Sequence, residues 1–166
     1  HRGVAGSHLR GHAAGGPGIL CADTCEAGGL QVPEFSSTTK ARLAAFLPPQ
    51  ASLSNPVDMI ASAGPDHYCQ TIATLLATDE IDALVVMYIP VDASQKPVVF
   101  EAIAAGRAAG GGDKPMLACL MVEEGGPVPL QANHEQIPTY GFPEAAAHVL
   151  GKVAAYAQWR AQPLGL

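Results

Sequence analysis

Apolar and polar residues divide most of the chain into two kinds of segment. Two continuous apolar runs, 83–89 and 115–122, predict strands that are covered on both faces. The segments around them place apolar residues three and four positions apart, which is the spacing of an amphipathic helix. Strands that alternate with helices indicate βαβ units and a parallel sheet. The pattern therefore predicts an α/β fold, a three-layer sandwich whose sheet has four or five strands.

Five helices are predicted, and glycine, serine or proline marks the start of each. They start at Gly15, at Ser36 or Ser37, at Pro65, near Pro97 and at Pro143. A short strand is also expected at 30–32, just before Pro33. The chain has no internal repeat and no linker, so one domain is predicted over residues 13–166. Residues 1–12 read as a leader, either disordered or left from a tag.

Composition narrows the class of protein. Of the 166 residues, 48% are hydrophobic and 14% are charged, which suits a chain with a single apolar core. The formal net charge is −6 and lysine and arginine do not cluster, which argues against a nucleic-acid partner. The apolar runs are too short to cross a membrane. Four cysteines do not make a disulfide scaffold in a chain of this length, so the cytoplasm is the expected compartment.

The glycine-rich turn Gly15-Gly16-Pro17-Gly18 is the most suggestive local motif. Free backbone N–H groups at a helix start, together with the helix dipole, attract phosphate or carboxylate. The turn lacks the lysine of a P-loop and the third glycine of a dinucleotide-binding fingerprint. Anion binding and a plain tight turn therefore both remain open.

A second motif, Asn55-Pro56-Val57-Asp58, places an amide and a carboxylate beside a proline. Such residues can cap a helix, or they can orient a ligand at the carboxyl edge of a parallel sheet. The spacing alone favours the structural role.

The residues predict neither a metal site nor a catalytic constellation. Cys21 and Cys25 lie one helical turn apart, but inside an apolar helix they read as small buried side chains. His8 and His12 precede them at the same spacing, in the segment that reads as a leader. No Gly-x-Ser-x-Gly elbow is present for a serine nucleophile.

Five separated segments occur in a diagnostic order: GGPGILCADTCEAGGL, NPVD, PDHYCQTIATLLATDEIDALVVMYIP, KPMLACLM and IPTYGFPEAAAHVLGKVAAYAQWR. This series resembles the NDP-forming (ADP-forming) acyl-CoA synthetases, which are relatives of succinyl-CoA synthetase. Over about residues 13–160 it is similar to their second flavodoxin-like domain, the ligase-CoA domain. The resemblance implies a flavodoxin-like fold.

The resemblance also implies a chemistry. The complete family enzyme interconverts acyl-CoA, ADP and phosphate with free acid, CoA and ATP, through an acyl phosphate and a phosphorylated histidine. The resemblance implies that phosphate or an acyl group binds at a site made by Gly15, Gly16, Pro17 and Gly18 together with Asn55, Pro56 and Asp58. The last three match the family's NPVD segment, and Asn55 and Asp58 are expected to shape its loop. The loop 90–95 corresponds in position to the start of a phosphate-facing helix. CoA and ADP or ATP belong to the complete enzyme, and this domain alone is expected to bind no cofactor.

The chain also departs from the family pattern. The Ser-His-Thr-Gly segment of the phosphohistidine, the ATP-grasp region and the CoA-binding domain are absent. The family has an apolar strand just before the glycines, whereas residues 8–12 of this chain suit a central strand poorly. Either that strand is missing or replaced, or a different segment fills its place. A gap would leave sheet edges that invite pairing with a second copy or a partner chain.

Two functions follow as hypotheses. In the first, the chain is a catalytically incomplete domain that acts with phosphohistidine and ATP-grasp partners and is not active alone. In the second, it is a stand-alone module that binds a small ligand or forms a dimer, without catalysis. A relic with no activity is the third possibility.

Overall fold

The structure is a computed structural model that describes residues 3–8, 15–90, 92–122 and 128–161. The strands in these residues are β1 (Gly3–His8), β2 (Val57–Asp58), β3 (Ile81–Tyr88), β4 (Met116–Leu120), β5 (Leu130–Ala132), β6 (Glu135–Ile137) and β7 (Thr139–Tyr140). Five of them form a parallel sheet in the order β2-β1-β3-β4-β7, while β5 and β6 form a separate hairpin. This is the strand order of flavodoxin-like proteins, so the predicted fold class is confirmed.

The helices are α1 (Gly15–Ala27), α2 (Ser37–Ala44), α3 (Pro65–Leu76), α4 (Lys96–Gly110) and α5 (Pro143–Arg160). Each begins within about one residue of its predicted start, because the glycine, serine and proline signals act locally. Among the described residues, no helix is long and apolar enough to cross a membrane.

Two apolar cores enclose the sheet. Leu84 and Val86 of β3 pack with α3 and α4, whereas Val85 and Met87 of the same strand pack with α1 and α5. Successive side chains of a strand point to opposite faces, so a strand buried on both faces reads as an unbroken apolar run. The helices therefore form one layer on each side of the sheet.

Strand β1 is an interior strand of the sheet and is hydrogen-bonded to β2 on one side and to β3 on the other. Gly3–His8 lie within the predicted leader 1–12, and two alternatives were open for this place in the sheet, a missing or replaced strand or a different segment. A different segment, Gly3–His8, forms the strand, so the strand is not missing. A parallel ladder is made by backbone groups, which glycine and serine supply as well as apolar residues do. Residues 9–14 lie outside the described residues, and the domain boundary at residue 13 stays a prediction.

Two further predictions about strands need correction. Segment 30–32 is not a strand, because the N–H of Leu30 bonds to the carbonyl of Cys25 and continues the end of α1. Val57–Asp58 of the second motif forms the edge strand β2, for which no strand was predicted. The hairpin of β5 and β6 was not predicted, since its strands have only three residues each, half of which are polar, and its turn depends on Asn133 at a φ of 54°.

The start of α2 is held by a carboxylate from a distant part of the chain. Glu80 accepts hydrogen bonds from the hydroxyl of Thr39 at 2.6 Å and from the N–H and hydroxyl of Ser36, each at 2.7 Å. Ser36 is the N-cap of α2, and its own oxygen accepts from the N–H of Thr39. These donors, first Thr39 and then Ser36, lower the pKa of Glu80 from 4.5 to about 2.

Glu80→Gln is expected to lower the free energy of unfolding by about 1 kcal/mol at pH 7, because the carboxylate is only partly buried. A depressed pKa stabilises the fold above pH 4.5, and this contribution is lost as the pH falls towards 2. Urea unfolding at pH 7 and pH 2.5 measures the change. The difference between wild type and variant should shrink at the lower pH. Glu34→Gln is the control, since Glu34 makes an exposed ion pair with Lys40; equal losses in both variants would contradict the capping role.

Helices α3 and α4 cross at very short range because α4 carries a glycine at the crossing. A Cβ placed on Gly106 would lie 2.8 Å from the carbonyl oxygen of Cys69 and 2.9 Å from Cβ of Ile72. The backbones can approach this closely only where no side chain intervenes.

The residue after this glycine ties α4 to the hairpin. Arg107 is 6% exposed, and its Nε and Nη2 donate to the two carboxylate oxygens of Glu135 at 3.0 and 2.9 Å. Its Nη1 and Nη2 also donate to the carbonyls of Gly111 and Gly112. A buried guanidinium with this many acceptors fixes the end of α4 against the turn that follows it.

Candidate functional site

The carboxyl edge of the sheet is where helices begin. In chain order, α1 follows β1, α3 follows β2, α4 follows β3 and α5 follows β7. Ligands of doubly wound proteins bind at this edge, where strands end and helix N-termini point at the opening. Two openings lie here on opposite sides of the sheet.

The predicted glycine-rich turn forms the first turn of α1, beginning at Gly15. Gly16 is exposed, and a Cβ built on it would meet nothing within 4 Å. Pro17 is half-buried and Gly18 is buried. The first turn contains no acidic residue. The backbone at this helix start is therefore open to a ligand.

The second predicted motif uses its polar groups to hold a loop. The amide nitrogen of Asn55 donates to the carbonyl of Pro33 at 3.0 Å, and the bond between Asn55 and Pro56 is cis. Asp58 is buried at the end of β2, and its Oδ1 accepts from the N–H of Ile60 at 3.0 Å. Ile60 has a φ of 60°, which is rare for a β-branched residue. These contacts support a positioning role for Asn55 and Asp58.

The loop that Asp58 holds leads into a pocket of about 200 Å³, here called the α3–α4 pocket. Gly64, at the start of α3, and Tyr88, at the end of β3, line it together with Asp92 and Gln95, which precede α4. The loop 90–95 was predicted to lead to a phosphate-facing helix. Its described residues Asp92 and Gln95 lie at this pocket.

Tyr88 is the polar side chain that sequence reasoning missed. It is 3% exposed, and its ring packs edge-on against Tyr68 and Phe100 with centroids 6.0 and 5.8 Å away. Within the described part of the chain, no residue accepts a hydrogen bond from its hydroxyl. Within the apolar run 83–89 it is typical of a core residue, and its place at a carboxyl strand end is the signal that could have distinguished it.

The electrostatics of this pocket favour a neutral donor beside a charged carboxylate. Burial, and then the charge of Asp92, raise the pKa of Tyr88. The backbone N–H and hydroxyl of Ser94 each donate to Asp92 at 2.8 Å and lower the pKa of its carboxyl group. At neutral pH the phenol of Tyr88 therefore keeps its proton and can donate it to a ligand oxygen.

The second opening, here called the α1–α5 groove, has a volume of about 500 Å³. The first turns of α1 and α5 form its walls, and Met121, just after β4, also lines it. The buried thiols of Cys21 and Cys119 lie in the core beneath these helices. Burial, and then the charge of Glu144, raise the pKa of Cys119 to about 12, so this thiol stays protonated. No cluster of three or more metal-binding side chains occurs in the described ranges.

The model of the Ligase-CoA domain family matches residues 10–162. The α subunit of ADP-forming acetate–CoA ligase II from Pyrococcus furiosus is 38% identical over 149 residues, which cover 87% of this chain and 31% of the relative. The α subunit of ADP-forming acetate–CoA ligase I from the same organism is 27% identical, over 89% of this chain and 32% of the relative.

Solved structures of similar proteins match most of this chain as well. A protein of Pyrococcus horikoshii OT3 superposes with a TM-score of 0.78 at 30% identity, over 95% of this chain and 36% of its own. The dinucleotide-forming acetyl-coenzyme A synthetase 1 of Ca. Korarchaeum cryptofilum has a TM-score of 0.78 at 26% identity, over 96% of this chain and 34% of its own. The chain thus spans about a third of the length of the relatives that it matches.

Proposed function

The chain belongs to the Ligase-CoA domain family, and from this premise we propose that it serves an ADP-forming acyl-CoA synthetase by holding phosphate or an acyl group. Catalysis requires a phosphohistidine domain and an ATP-grasp domain, with CoA and ADP or ATP as cofactors of the complete enzyme. The relatives are about three times as long as this chain, which leaves room for such domains. All four cysteines are free thiols, which supports the cytoplasm as its compartment.

The observation that carries the proposal is the convergence of helix starts at one sheet edge. The first turn of α1 offers an open glycine backbone, and the α3–α4 pocket adds the hydroxyl of Tyr88 near the start of α4. Helix N-termini and neutral donors are suited to phosphoryl and carboxylate oxygens. In this proposal residues 15–18 contact the anion, while Asn55, Pro56 and Asp58 keep the neighbouring loop in shape.

Two glycine variants test where the anion binds. A Cβ on Gly16 or on Gly64 would meet nothing within 4 Å, so Gly16→Val and Gly64→Val should fold normally. Isothermal titration with inorganic phosphate and with acetyl phosphate is the measurement. We expect Gly16→Val to raise the Kd at least tenfold, because the new side chain covers the N–H groups of the first turn. Loss of binding only in Gly64→Val would move the site to the α3–α4 pocket, and unchanged binding in both would reject the proposed site.

A reconstitution assay distinguishes a role in an acyl-CoA synthetase from the role of a stand-alone binding module. The chain is mixed with ATP-grasp and phosphohistidine chains of the family, and acyl-CoA formation from acetate, CoA and ATP is followed. Activity that requires this chain supports the synthetase role. Anion binding that never leads to turnover with any partner would favour the stand-alone module.

A further inference from the structure

We propose that the outward face of α5 is a docking site for a helix of a partner protein, one that carries carboxylates beside an apolar seam. The face is built on Val149, Val153, Tyr156 and Trp159, here called the α5 stripe. Helix α5 begins at the carboxyl edge of the sheet, where the candidate site lies, and the stripe lies on its later turns. The stripe is therefore a separate surface, and its use does not depend on where phosphate binds.

The stripe is apolar and uncovered. Val149 is 37% exposed, Val153 50%, Tyr156 58% and Trp159 66%. These residues follow one another at intervals of four, three and three, so they lie on one side of the helix. The opposite side is buried in the core through Ala147. A row of large apolar side chains exposed along one helix marks a surface that packs against another molecule.

The last two turns of α5 extend beyond the neighbouring helix. A Cβ placed on Gly151 would lie 3.5 Å from the carbonyl oxygen of Gly28, which is one residue past the end of α1. Farther along, residues 155–161 are all exposed. A short helical segment without packing partners is only marginally stable in water. Contact with a second protein would therefore stabilise the end of α5 as well as cover the stripe.

The end of the stripe carries the residue types on which protein interfaces depend most. The rings of Tyr156 and Trp159 stack with their centroids 5.8 Å apart, and the guanidinium of Arg160 lies over the Tyr156 ring at 5.9 Å. Tyrosine, tryptophan and arginine are the residues most enriched at interface hot spots. Their mutual contacts hold the three side chains in place before a partner binds, which reduces the entropy lost on binding.

The spacing of the exposed residues favours a helix as the occupant. Val149, Val153, Tyr156 and Arg160 follow one another at intervals of four, three and four, which is the seam spacing of two packed helices. At 1.5 Å per residue this seam is about 16 Å long. A partner helix of about three turns covers that length.

Charge determines what the partner helix carries. Lys152, beside the seam, and Arg160, at its end, are both exposed, whereas the only acid of α5, Glu144, lies in the first turn. The stripe is therefore a basic region on a chain whose net charge is −6. Carboxylates on the partner complement it, while a second copy packed α5 against α5 would bring like charges together. Anionic lipid surfaces are recognised by clusters of roughly four to eight basic residues, and this seam has two.

Fluorescence of Trp159 tests the proposal, because it is the only tryptophan of the chain and reports on this surface alone. The probe is a synthetic stapled helix of three heptads with leucine along its seam, glutamate beside the seam and no aromatic residue. A second peptide has lysine in place of every glutamate. Wild type should bind the glutamate peptide at least tenfold more tightly than the lysine peptide. The emission of Trp159 should move to shorter wavelength as its ring is covered.

Two charge-matched double variants locate the preference. Lys152→Gln with Arg160→Gln should reduce it to about twofold or less. Both residues are exposed, so the fold should be kept. Lys40→Gln with Arg42→Gln is the matched control and should keep the full preference. It removes the same charge from α2, whose Leu43 packs in the core on the opposite face of the sheet.

Three results at the stripe would overturn the proposal: equal binding of the two peptides, binding without a shift of the Trp159 emission, or a preference unchanged in the α5 double variant. An emission shift with phosphatidylserine vesicles but not with the glutamate peptide would overturn it in favour of a lipid surface. Self-association in sedimentation equilibrium that Val153→Glu abolishes would overturn it in favour of a second copy of the chain.

Discussion

Replacing Gly106 by valine should lower the free energy of unfolding by about 3 kcal/mol, the largest loss that we expect from a single small substitution in this fold. The new Cβ would lie 2.8 Å from the carbonyl oxygen of Cys69. That atom belongs to the backbone of α3 and cannot rotate away, so the two helices must separate. The higher helix propensity of valine over glycine recovers only about 0.5 kcal/mol of this loss.

Urea unfolding followed by circular dichroism measures the effect. Ala105→Val is the matched control, because Ala105 is exposed on the same helix one position earlier. It should change the unfolding free energy by no more than about 0.5 kcal/mol. The loss for Gly106→Ala should lie between those for Gly106→Val and Ala105→Val. A single methyl group causes part of the clash, and the higher helix propensity of alanine offsets about 1 kcal/mol of it. Equal values for Gly106→Val and Ala105→Val would show that the crossing is not the constraint.

Arg107→Met is expected to cost about 2 kcal/mol, because it removes the charge-assisted hydrogen bonds of the guanidinium to Glu135 and to the carbonyls of Gly111 and Gly112. Methionine preserves most of the packing of the aliphatic stem. The loss should stay below the range for breaking a buried ion pair, because Glu135, which is 55% exposed, and the exposed Gly111 and Gly112 can all be solvated after the substitution.

A double-mutant cycle isolates the ion pair. Arg107→Met, Glu135→Gln and the double variant are compared by urea unfolding, and a coupling energy of about 1 to 2 kcal/mol is expected. Arg107→Lys is the conservative control, since it keeps the charge but cannot bridge both carboxylate oxygens. A coupling energy near zero would mean that the carbonyl contacts, and not Glu135, hold Arg107.

Much of the fold was predictable because its signals are local. The starts of α1 at Gly15 and of α3 at Pro65 depend on residues that act within one turn. The strand β3 was predictable from its apolar run, since burial on both faces demands it. The strand β1 was not, because its place between β2 and β3 is decided by backbone pairing with residues far along the chain. The prediction for segment 30–32 was wrong for the opposite reason: its local pattern is typical of a strand, but none of the described strands pairs with it.

Only the parts of the candidate site that are contiguous in sequence could be predicted. The glycine-rich turn was visible in the sequence, and it lies at the carboxyl edge of the sheet. The α3–α4 pocket was not visible, since Gly64, Tyr88 and Gln95 come from three separate elements. Glu144 reads as an ordinary first-turn acid, because its buried oxygen becomes apparent only when α5 packs beside α1.

The position of β1 between β2 and β3 also limits the order in which the sheet can fold. Strand β1 is synthesised before β2 and well before β3, although these two strands are its hydrogen-bonded neighbours. Contacts between residues distant in sequence form slowly, because a long loop must close before they can contribute stability. Until Ile81–Tyr88 has been synthesised, β1 can pair only with the two-residue strand β2. Synthesis of β3 is then the step that gives β1 its longer ladder, and the sheet cannot assemble before it.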